Sequence, residues 1–451
     1  MKTLGTAKSR RTASFSLSPH LSMSHIFSAG HRCPVRTNPK SETLCLCVLL
    51  VSALNALPAT LTVKNNGDVG TDCLRERIGF ASAGDTIVFA SNVVGTIALT
   101  NGELVLAKNL TIAGPGAKVL MVSGNNSGHV FDVTGGVSCV ISGLTVTGGS
   151  NGGIRNRNGA TLTLLNTVLS GNFIGIINDG PLGNLTVNSC AITGNSGTTG
   201  AGVFNNAGVA QLVDSTIASN HITSGTGAGG VWNDGTMNIT SCTISANTGN
   251  VTGGLGGAST VVLRNTIVAG NTGSSTPDVN GSFSSGGYNL VGKSDGSAGL
   301  SNGMNHDQVG TVAAALDAKL GRLQDNGGST PTMALLANSP AIDMGTSAGL
   351  TVDQRGEPRR FDFPSINNAA DGTDIGAFEL ALPRLSLQRM SSSVVLSWPG
   401  YDSSFVVESK ASLSGMESWM AASGTPTVIS NRLTLIVPGD APQRFYRLRS
   451  P

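Results

Sequence analysis

The strongest constraint on the fold of this chain is an internal repeat in its middle third. Five segments align on a closing asparagine: LTLLNTVLSGN (162–172), LTVNSCAITGN (185–195), AQLVDSTIASN (210–220), MNITSCTISAN (237–247) and VVLRNTIVAGN (261–271). The closing residues are Asn172, Asn195, Asn220, Asn247 and Asn271, which are 23, 25, 27 and 24 residues apart. A recurring period of this length is typical of a chain built from stacked structural repeats.

A second motif, Gly-(Val/Ile)-x-Asn, alternates with the first at 153–156, 175–178, 202–205 and 230–233. Each repeat therefore contains two or three short strands separated by Gly and Asn turns, with no room for a helix. We predict an all-β fold, a right-handed parallel β-helix (solenoid) whose coils stack at the ~4.8 Å spacing of neighbouring strands. The prediction covers residues from about 84 to 290.

Stacking places equivalent residues of successive coils in columns. Side-chain alternation is expected to turn an aliphatic column inward, consisting of Val168, Ile192, Ile217, Ile244 and Ile267. The closing asparagines are expected at a turn, where they would hydrogen-bond along the axis and adopt left-handed backbone. We interpret this asparagine ladder as structural.

The cysteines of the repeats follow the same columns. Cys190 and Cys242 each precede a column isoleucine by two residues, and Ser215 occupies the coil between them. Two coils correspond to roughly 9.6 Å, which exceeds the ~7 Å limit between the Cα atoms of a disulfide. We expect both cysteines to be unpaired and buried. The repeats contain no CxxC and no nearby histidine pair, so we expect no metal site and no cofactor.

The first 59 residues have the pattern of an export signal. Residues 1–42 contain seven Lys or Arg and one acid, and residues 43–59 (TLCLCVLLVSALNALPA) are uncharged and largely apolar. A basic region, a short apolar run and small residues are typical of a secretory signal peptide, with a signal anchor as the alternative. Because the whole chain has a formal charge of only +2, removal of this basic leader leaves a mildly acidic chain. That balance argues against a nucleic-acid partner.

The pattern changes again after Pro383. The segments VVLSWP (394–399), FVVESK (405–410), LTLIVP (433–438) and FYRLR (445–449) alternate as strands do and predict a small β-sandwich. We divide the chain into a leader (1–59), an N-terminal cap with the first coils (60–135), the β-helix repeats (136–290), a capping region (291–382) and the C-terminal β-sandwich module (383–451).

Two regions resemble known families. Residues 61–149 resemble the N-terminal part of secreted bacterial β-helix proteins with a CSLREA-type motif, although Cys73 stands where that motif usually has serine. Its counterpart here, CLRERI (73–78), predicts a short amphipathic helix that plugs the first coil.

The pieces SGGYNLVG (285–292), LQDNGGSTPTMALLANSPAIDMG (323–345), DQRGEPR (353–359) and DIGAFE (374–379) resemble the choice-of-anchor Q domain. Members of that family are surface or secreted proteins with varied anchors, so the resemblance implies export and no established chemistry.

The second region also concentrates charge. Its charged residues include Asp325, Asp343, Asp353, Arg355, Glu357, Arg359, Asp374 and Glu379. Such a cluster could bind a metal or perform catalysis. We interpret it instead as an ion-paired cap that closes the last coil.

One surface of the repeats is a candidate binding site. If Val203 and Asn205 point inward, Phe204 and Trp232 lie outside on adjacent coils. Beside them would run Arg157, Asp179 and Asp234, with the two carboxylates roughly 9.6 Å apart. Aromatic faces flanked by hydrogen-bonding groups favour sugar binding.

Three interpretations of this surface remain open, namely turn chemistry with packing, glycan binding, and catalysis. Asn-Asp-Gly at 178–180 and 233–235 is also ordinary turn sequence. The chain has no glutamate between Glu103 and Glu357, so we name no catalytic residue. We predict a monomeric, secreted or cell-surface protein that binds extracellular polysaccharide or cell-surface glycan, with no membrane span in the mature chain. The alternative is a polysaccharide lyase or glycoside hydrolase of the pectin-lyase-like type.

Overall fold

A computed structural model describes residues 57–399, 405–414, 418–429, 432–439 and 443–449. The predicted leader lies outside these residues, except for its last three positions. Nearly all regular structure is β, and parallel strands stack into a β-helix of about ten coils, which confirms the predicted fold class. The stack extends from Thr60 to Val309, so it begins earlier and ends later than the expected span of 84–290.

Three parallel sheets form the walls of the β-helix. Sheet 1 consists of Thr60–Val63, Thr86–Phe89, Leu110–Ala113, Ser138–Ser142, Thr161–Leu165, Asn184–Asn188, Val209–Val213, Thr236–Thr240, Val261–Arg264 and residues 283–285. Sheet 2 consists of Gly95–Ala98, Leu120–Ser123, Thr145–Thr147, Val168–Ser170, Ala191–Thr193, Thr216–Ala218, Thr243–Ser245, Ile267–Val268, Leu290–Val291 and Gln308–Val309. Sheet 3 consists of Leu104–Leu106, His129–Val133, Gly152–Arg157, Ile176–Asp179, Val203–Asn206, Val231–Asn233, Leu255–Gly256 and Val279–Ser285. The last of these strands, Val279–Ser285, also pairs with Ser297–Ala298, and its final residues continue into sheet 1.

The remaining elements are short. Ser196–Gly197 and His221–Ile222 pair at a corner, Met304–His306 is a 3₁₀ turn, and Leu320–Gln324 pairs with Thr332–Leu335 as an antiparallel hairpin. The C-terminal module has two antiparallel sheets. One contains Ser386–Arg389, Ser393–Pro399, Arg432–Pro438 and Thr427–Ile429, and the other contains Met420–Ala421, Val406–Lys410 and Phe445–Arg449. Trp398 and Leu435 of the first sheet share a core with Val407 of the second, as in a sandwich.

The predicted helix is present as Leu74–Phe80. Its N-cap is Cys73, whose Sγ accepts a hydrogen bond from the Glu76 backbone amide at 3.4 Å. A serine at this position would cap the helix in the same way. Leu74 and Ile78 are buried and join the core of the first coils.

The prediction of an inward aliphatic column in sheet 2 is confirmed for its three central members and wrong for its two end members. Leu169, Ile192, Ile217, Ile244 and Val268 occupy successive rungs and are fully buried. The predicted end members, Val168 and Ile267, stand one residue earlier and belong to the outward column. Both ends have two adjacent aliphatic residues, so alternation alone does not show which of them faces the core.

The closing asparagines form a continuous ladder inside the corner after sheet 2. Each Nδ2 donates to the Oδ1 of the next rung at 2.9–3.0 Å, from Asn172 through Asn271, and the ladder ends on Asp278. The expected left-handed backbone is not at the asparagines but one residue before each of them, where Gly171, Ser219 and Ala246 have positive φ. This turn directs the amide side chain inward to the backbone carbonyls of the preceding coil.

A second buried ladder joins the asparagines of the Gly-(Val/Ile)-x-Asn motif. Asn156, Asn178, Asn205 and Asn233 are linked at 2.7–2.8 Å. The motif glycine has a separate role, because a Cβ on Gly202 would lie 2.5 Å from the Gly230 carbonyl oxygen. The coils can approach this closely only without a side chain at that position.

We expect Asn220→Ala to lower the free energy of unfolding by about 1–3 kcal/mol, because buried donors and an acceptor lose their partner. Asn220 accepts from the Asn195 backbone and side chain, and donates to the Ile192 carbonyl at 2.9 Å. Denaturant unfolding of the full chain measures the loss. Asn238→Ala on the exposed face of sheet 1 is the matched control, and an equal effect of the two substitutions would contradict a stabilising ladder.

The four described cysteines are free and buried. Ser215 lies between Cys190 and Cys242, and its Oγ accepts from the Cys190 amide at 3.1 Å. Burial raises the pKa of Cys190 to about 12. Cys190 and Cys242 therefore act as small buried residues of a turn column.

The predicted cap does not simply close the last coil. Residues 311–380, termed the flanking segment below, run along the outer face of sheet 2. Asp325 forms an ion pair with Lys118 in the third coil at 2.6 Å, whereas the Pro340 carbonyl accepts from Gln308 in the last coil at 2.7 Å. The flanking segment explains why the outward residues Thr216, Thr243 and Ile267 are fully buried.

Candidate functional site

The outer face of sheet 3 holds the residues singled out in the sequence. Strand register places Arg155, Ile177, Phe204 and Trp232 on successive rungs, followed by Gly256. Phe204 and Trp232 are both half-buried, while Val203 and Asn205 point into the core. Arg157 and Asp179 occupy adjacent rungs of the neighbouring column.

A shallow groove of about 410 Å³ crosses this face. Its lining includes His129, Arg155, Phe173, Asp179, Phe204 and Asn206. The groove therefore contains two of the five predicted ligand-binding residues, Phe204 and Asp179. Trp232 and Asp234 lie one rung further along the axis, and Arg157 lies outside the lining.

Asp179, in the lining of the groove, is held by fixed partners. Its Oδ2 accepts from Arg155 at 2.5 Å, and its Oδ1 accepts from Asn206 at 3.0 Å. The Arg155 hydrogen bond lowers the pKa of Asp179 against the opposing effect of burial. A general acid of a glycoside hydrolase needs the opposite shift, so Asp179 is suited to accepting hydrogen bonds rather than to donating a proton.

Trp232 and Asp234 form a unit of their own. The indole Nε1 donates to Asp234 Oδ2 at 3.0 Å, and Asp234 Oδ1 accepts from the Ala258 amide at 3.1 Å. A Cβ on Gly256 would lie 3.1 Å from the indole ring, so the ring covers the next rung. Both side chains therefore make contacts within the fold itself.

Arg157 is also engaged elsewhere. It forms a two-point ion pair with Asp132 at 2.6 and 2.8 Å rather than with Asp179. The Asp132 side chain is almost fully buried, so this pair fixes the edge of the face. The structure does not bring Arg157 together with Phe204 in one lining.

The groove also contains residues that sequence reasoning missed. His129 Nδ1 lies 3.2 Å from Glu103 Oε2, and the imidazole is largely buried at the groove wall. Phe173 adds a second aromatic side chain. These residues lie in coils or turns without the Gly-(Val/Ile)-x-Asn motif, so no sequence signal placed them beside Phe204.

The backbone under the groove is strained at Ile174. This residue has φ of 82°, which is unfavourable for a β-branched side chain. Its amide donates to the Ser196 carbonyl at 2.9 Å, and its carbonyl accepts from Gly153 at 2.8 Å. Retained strain of this kind clusters at binding and catalytic sites, and here it presents Phe173 and Ile174 to the groove.

The charged cluster of the flanking segment is a poor alternative site. Burial raises the pKa of Asp374 and Glu379, and the Asp374 charge raises that of Glu379 further. Both side chains are fully buried, and the Glu379 carboxylate accepts from the Phe361 and Asp374 amides. No group of three or more potential metal-binding His, Cys, Asp or Glu residues occurs in the described ranges. These acids organise backbone and have no access for a substrate.

No protein-family model matches the chain, and a comparison with curated proteins found no match either. Within the part of the chain that the structure describes, no helix combines the length and apolarity needed to cross a membrane.

Proposed function

We propose that the protein is an exported, surface-associated β-helix that binds extracellular polysaccharide or cell-surface glycan and does not cleave it. The observation that carries this proposal is the sheet 3 groove, in which Phe204 and Phe173 lie beside the fixed Arg155–Asp179–Asn206 hydrogen-bonding group. Aromatic faces can stack on sugar rings while fixed polar groups bond the hydroxyls. Stacked coils also present an extended surface, which suits a long polymer.

Export is supported by the sequence alone. The basic region followed by the apolar run at 43–59 has the order of a secretory signal. The resemblances to CSLREA-type proteins and to the choice-of-anchor Q domain agree with a surface location. Fractionation of the native host with an antibody to the β-helix tests it, because a protein confined to the cytoplasmic fraction would exclude an extracellular ligand.

The glycan proposal predicts that Phe204→Ala/Trp232→Ala binds its polysaccharide about tenfold more weakly or worse, since central aromatic contacts contribute a large share of binding energy. A polysaccharide array identifies the ligand for the wild type, and calorimetry then measures both proteins. Phe80→Ala removes an exposed aromatic residue far along the chain and should bind as the wild type does. If the double variant keeps its melting temperature and its affinity, the aromatic residues serve packing only.

Polysaccharide cleavage is the second candidate, favoured by the His129–Glu103 pair beside the groove. An imidazole and a carboxylate can transfer protons during glycosidic bond cleavage. The wild type would then release reducing or unsaturated ends, and His129→Gln, Glu103→Gln or Asp179→Asn would abolish the release. If the wild type releases no new ends from any polysaccharide that it binds, the cleavage hypothesis is wrong and the non-catalytic function stands.

A further inference from the structure

A second cavity lies where the flanking segment meets the C-terminal sandwich. It has a volume of about 430 Å³ and is lined by residues of both parts, including Arg355, Glu357, Arg360, Arg384 and Arg432. We call it the seam cleft. Ligand sites commonly occupy clefts of about 300–1,000 Å³ and occur preferentially where two structural units meet.

The charge of the seam cleft differs from that of the rest of the chain. Four arginines and one carboxylate, Glu357, line it, although the chain carries nearly equal numbers of basic and acidic residues. Asp353 compensates Arg355 and Asp371 compensates Arg360. Arg384 and Arg432 form no ion pair with any carboxylate of the described residues, so their charge is available to a ligand.

Arg432 is held in place by neutral groups, so no carboxylate neutralises its charge. Its Nε donates to Ser397 Oγ at 3.1 Å, and its Nη2 donates to the Ser397 carbonyl at 2.9 Å and to Ser386 Oγ at 3.1 Å. All three acceptors are neutral. A guanidinium that is already oriented loses less conformational entropy when it binds an anion.

Arg355 is likewise fixed on the opposite wall. Its Nε donates to Asp353 Oδ2 at 2.8 Å, and its guanidinium lies 3.7 Å from the centre of the Phe378 ring. The cleft also has apolar lining from Phe361, Leu382 and Pro399. A single inorganic anion would use the charge but leave these apolar walls without a partner.

We propose that the seam cleft binds the carboxylate groups of an acidic polysaccharide. The planar guanidinium fork of Arg384 matches two carboxylate oxygens, and Arg432 adds its charge and the donors of Nη1. The apolar walls fit the C–H faces of sugar rings. The seam cleft and the sheet 3 groove have no lining residue in common. The proposal therefore does not rest on glycan binding at the groove.

The test measures binding of polygalacturonate to the full chain by calorimetry, with neutral dextran as the comparison polymer. Arg384→Gln and Arg432→Gln should each weaken binding about tenfold or more, because each removes a charged hydrogen-bond donor. Glu357→Gln should strengthen binding, because it removes the repelling carboxylate. Raising the salt concentration from about 0.1 M to about 0.5 M should weaken binding by the wild type through screening.

Arg389→Gln is the matched control, since Arg389 is exposed on the same sandwich but outside the cleft lining. If Arg432→Gln unfolds the sandwich, Arg384→Gln still tests the proposal, because Arg384 is exposed. Equal affinity of Arg384→Gln, Glu357→Gln and the control would overturn the proposal, as would equal binding of dextran. If dextran sulfate or inorganic phosphate binds as tightly as polygalacturonate, the carboxylate assignment is wrong. Retained polygalacturonate binding by Phe204→Ala/Trp232→Ala would separate this site from the groove.

Discussion

Ile217→Ala is expected to lower the free energy of unfolding by about 2–5 kcal/mol, which is the range for deletion of a buried aliphatic side chain that leaves a cavity. Ile217 is the middle member of the inward column, with Ile192 on one side and Ile244 on the other. It is fully buried. Because both neighbouring rungs are fixed by their own hydrogen bonds, the core cannot readily close around the lost atoms.

Denaturant unfolding monitored by circular dichroism measures this effect. Val209→Ala is the matched control in the same coil, because Val209 is on the outer face of sheet 1 and is 36% exposed. Surface substitutions of this kind usually change stability by less than about 0.5 kcal/mol. Equal losses in the two variants would show that the core lies on the other side of the wall.

Arg359→Met is expected to cost about 3–5 kcal/mol, the usual effect of removing one partner of a buried ion pair. Arg359 is fully buried and donates to Asp214, a residue at the corner before sheet 2 that is 145 positions away in the chain. Burial already raises the pKa of Asp214 to about 6 despite the neighbouring guanidinium. Without Arg359, a buried carboxyl group would remain with no counter-charge.

A second substitution separates the ion pair from simple packing. Asp214→Asn in the Arg359→Met background should recover much of the loss, because it removes the unpaired charge, and asparagine tolerates the positive φ of position 214. Arg360→Met is the control, since Arg360 is 68% exposed and its ion pair with Asp371 contributes at most about 1 kcal/mol. The prediction is wrong if Arg359→Met and Arg360→Met unfold at the same denaturant concentration.

The fold could be predicted from the sequence because stacked coils place residues that recur once per repeat in columns. The positions of Asn172 through Asn271 alone define the coil length, and a buried amide ladder requires the same residue in every coil. The alternation rule failed only at Val168 and Ile267, where sheet 2 is apolar on both faces. At Ile267 the outward face is apolar because it packs against the flanking segment. Contacts such as Arg359–Asp214 join residues too distant in the chain for any local pattern to reveal.

The candidate site was accessible in part for the same reason. Parity within the Gly-(Val/Ile)-x-Asn strand gives the outward direction of Phe204 and Trp232. Parity cannot identify the ion-pair partner of each charged group. Arg155 and Arg157 are two residues apart on the same face of one strand, yet Arg155 pairs with Asp179 and Arg157 with Asp132, as the reach of each side chain allows. His129 and Glu103 come from coils with a different sequence pattern, so their position depended on the register of the whole stack.

The flanking segment has a consequence for how the molecule unfolds. A stack of coils without it would behave as a row of nearest neighbours that frays from either end. Here one segment contacts Lys118 in the third coil and Gln308 in the last, so an end coil cannot separate without disturbing contacts many coils away. The repeats are thereby joined into one cooperative unit by a segment that follows all of them in the chain.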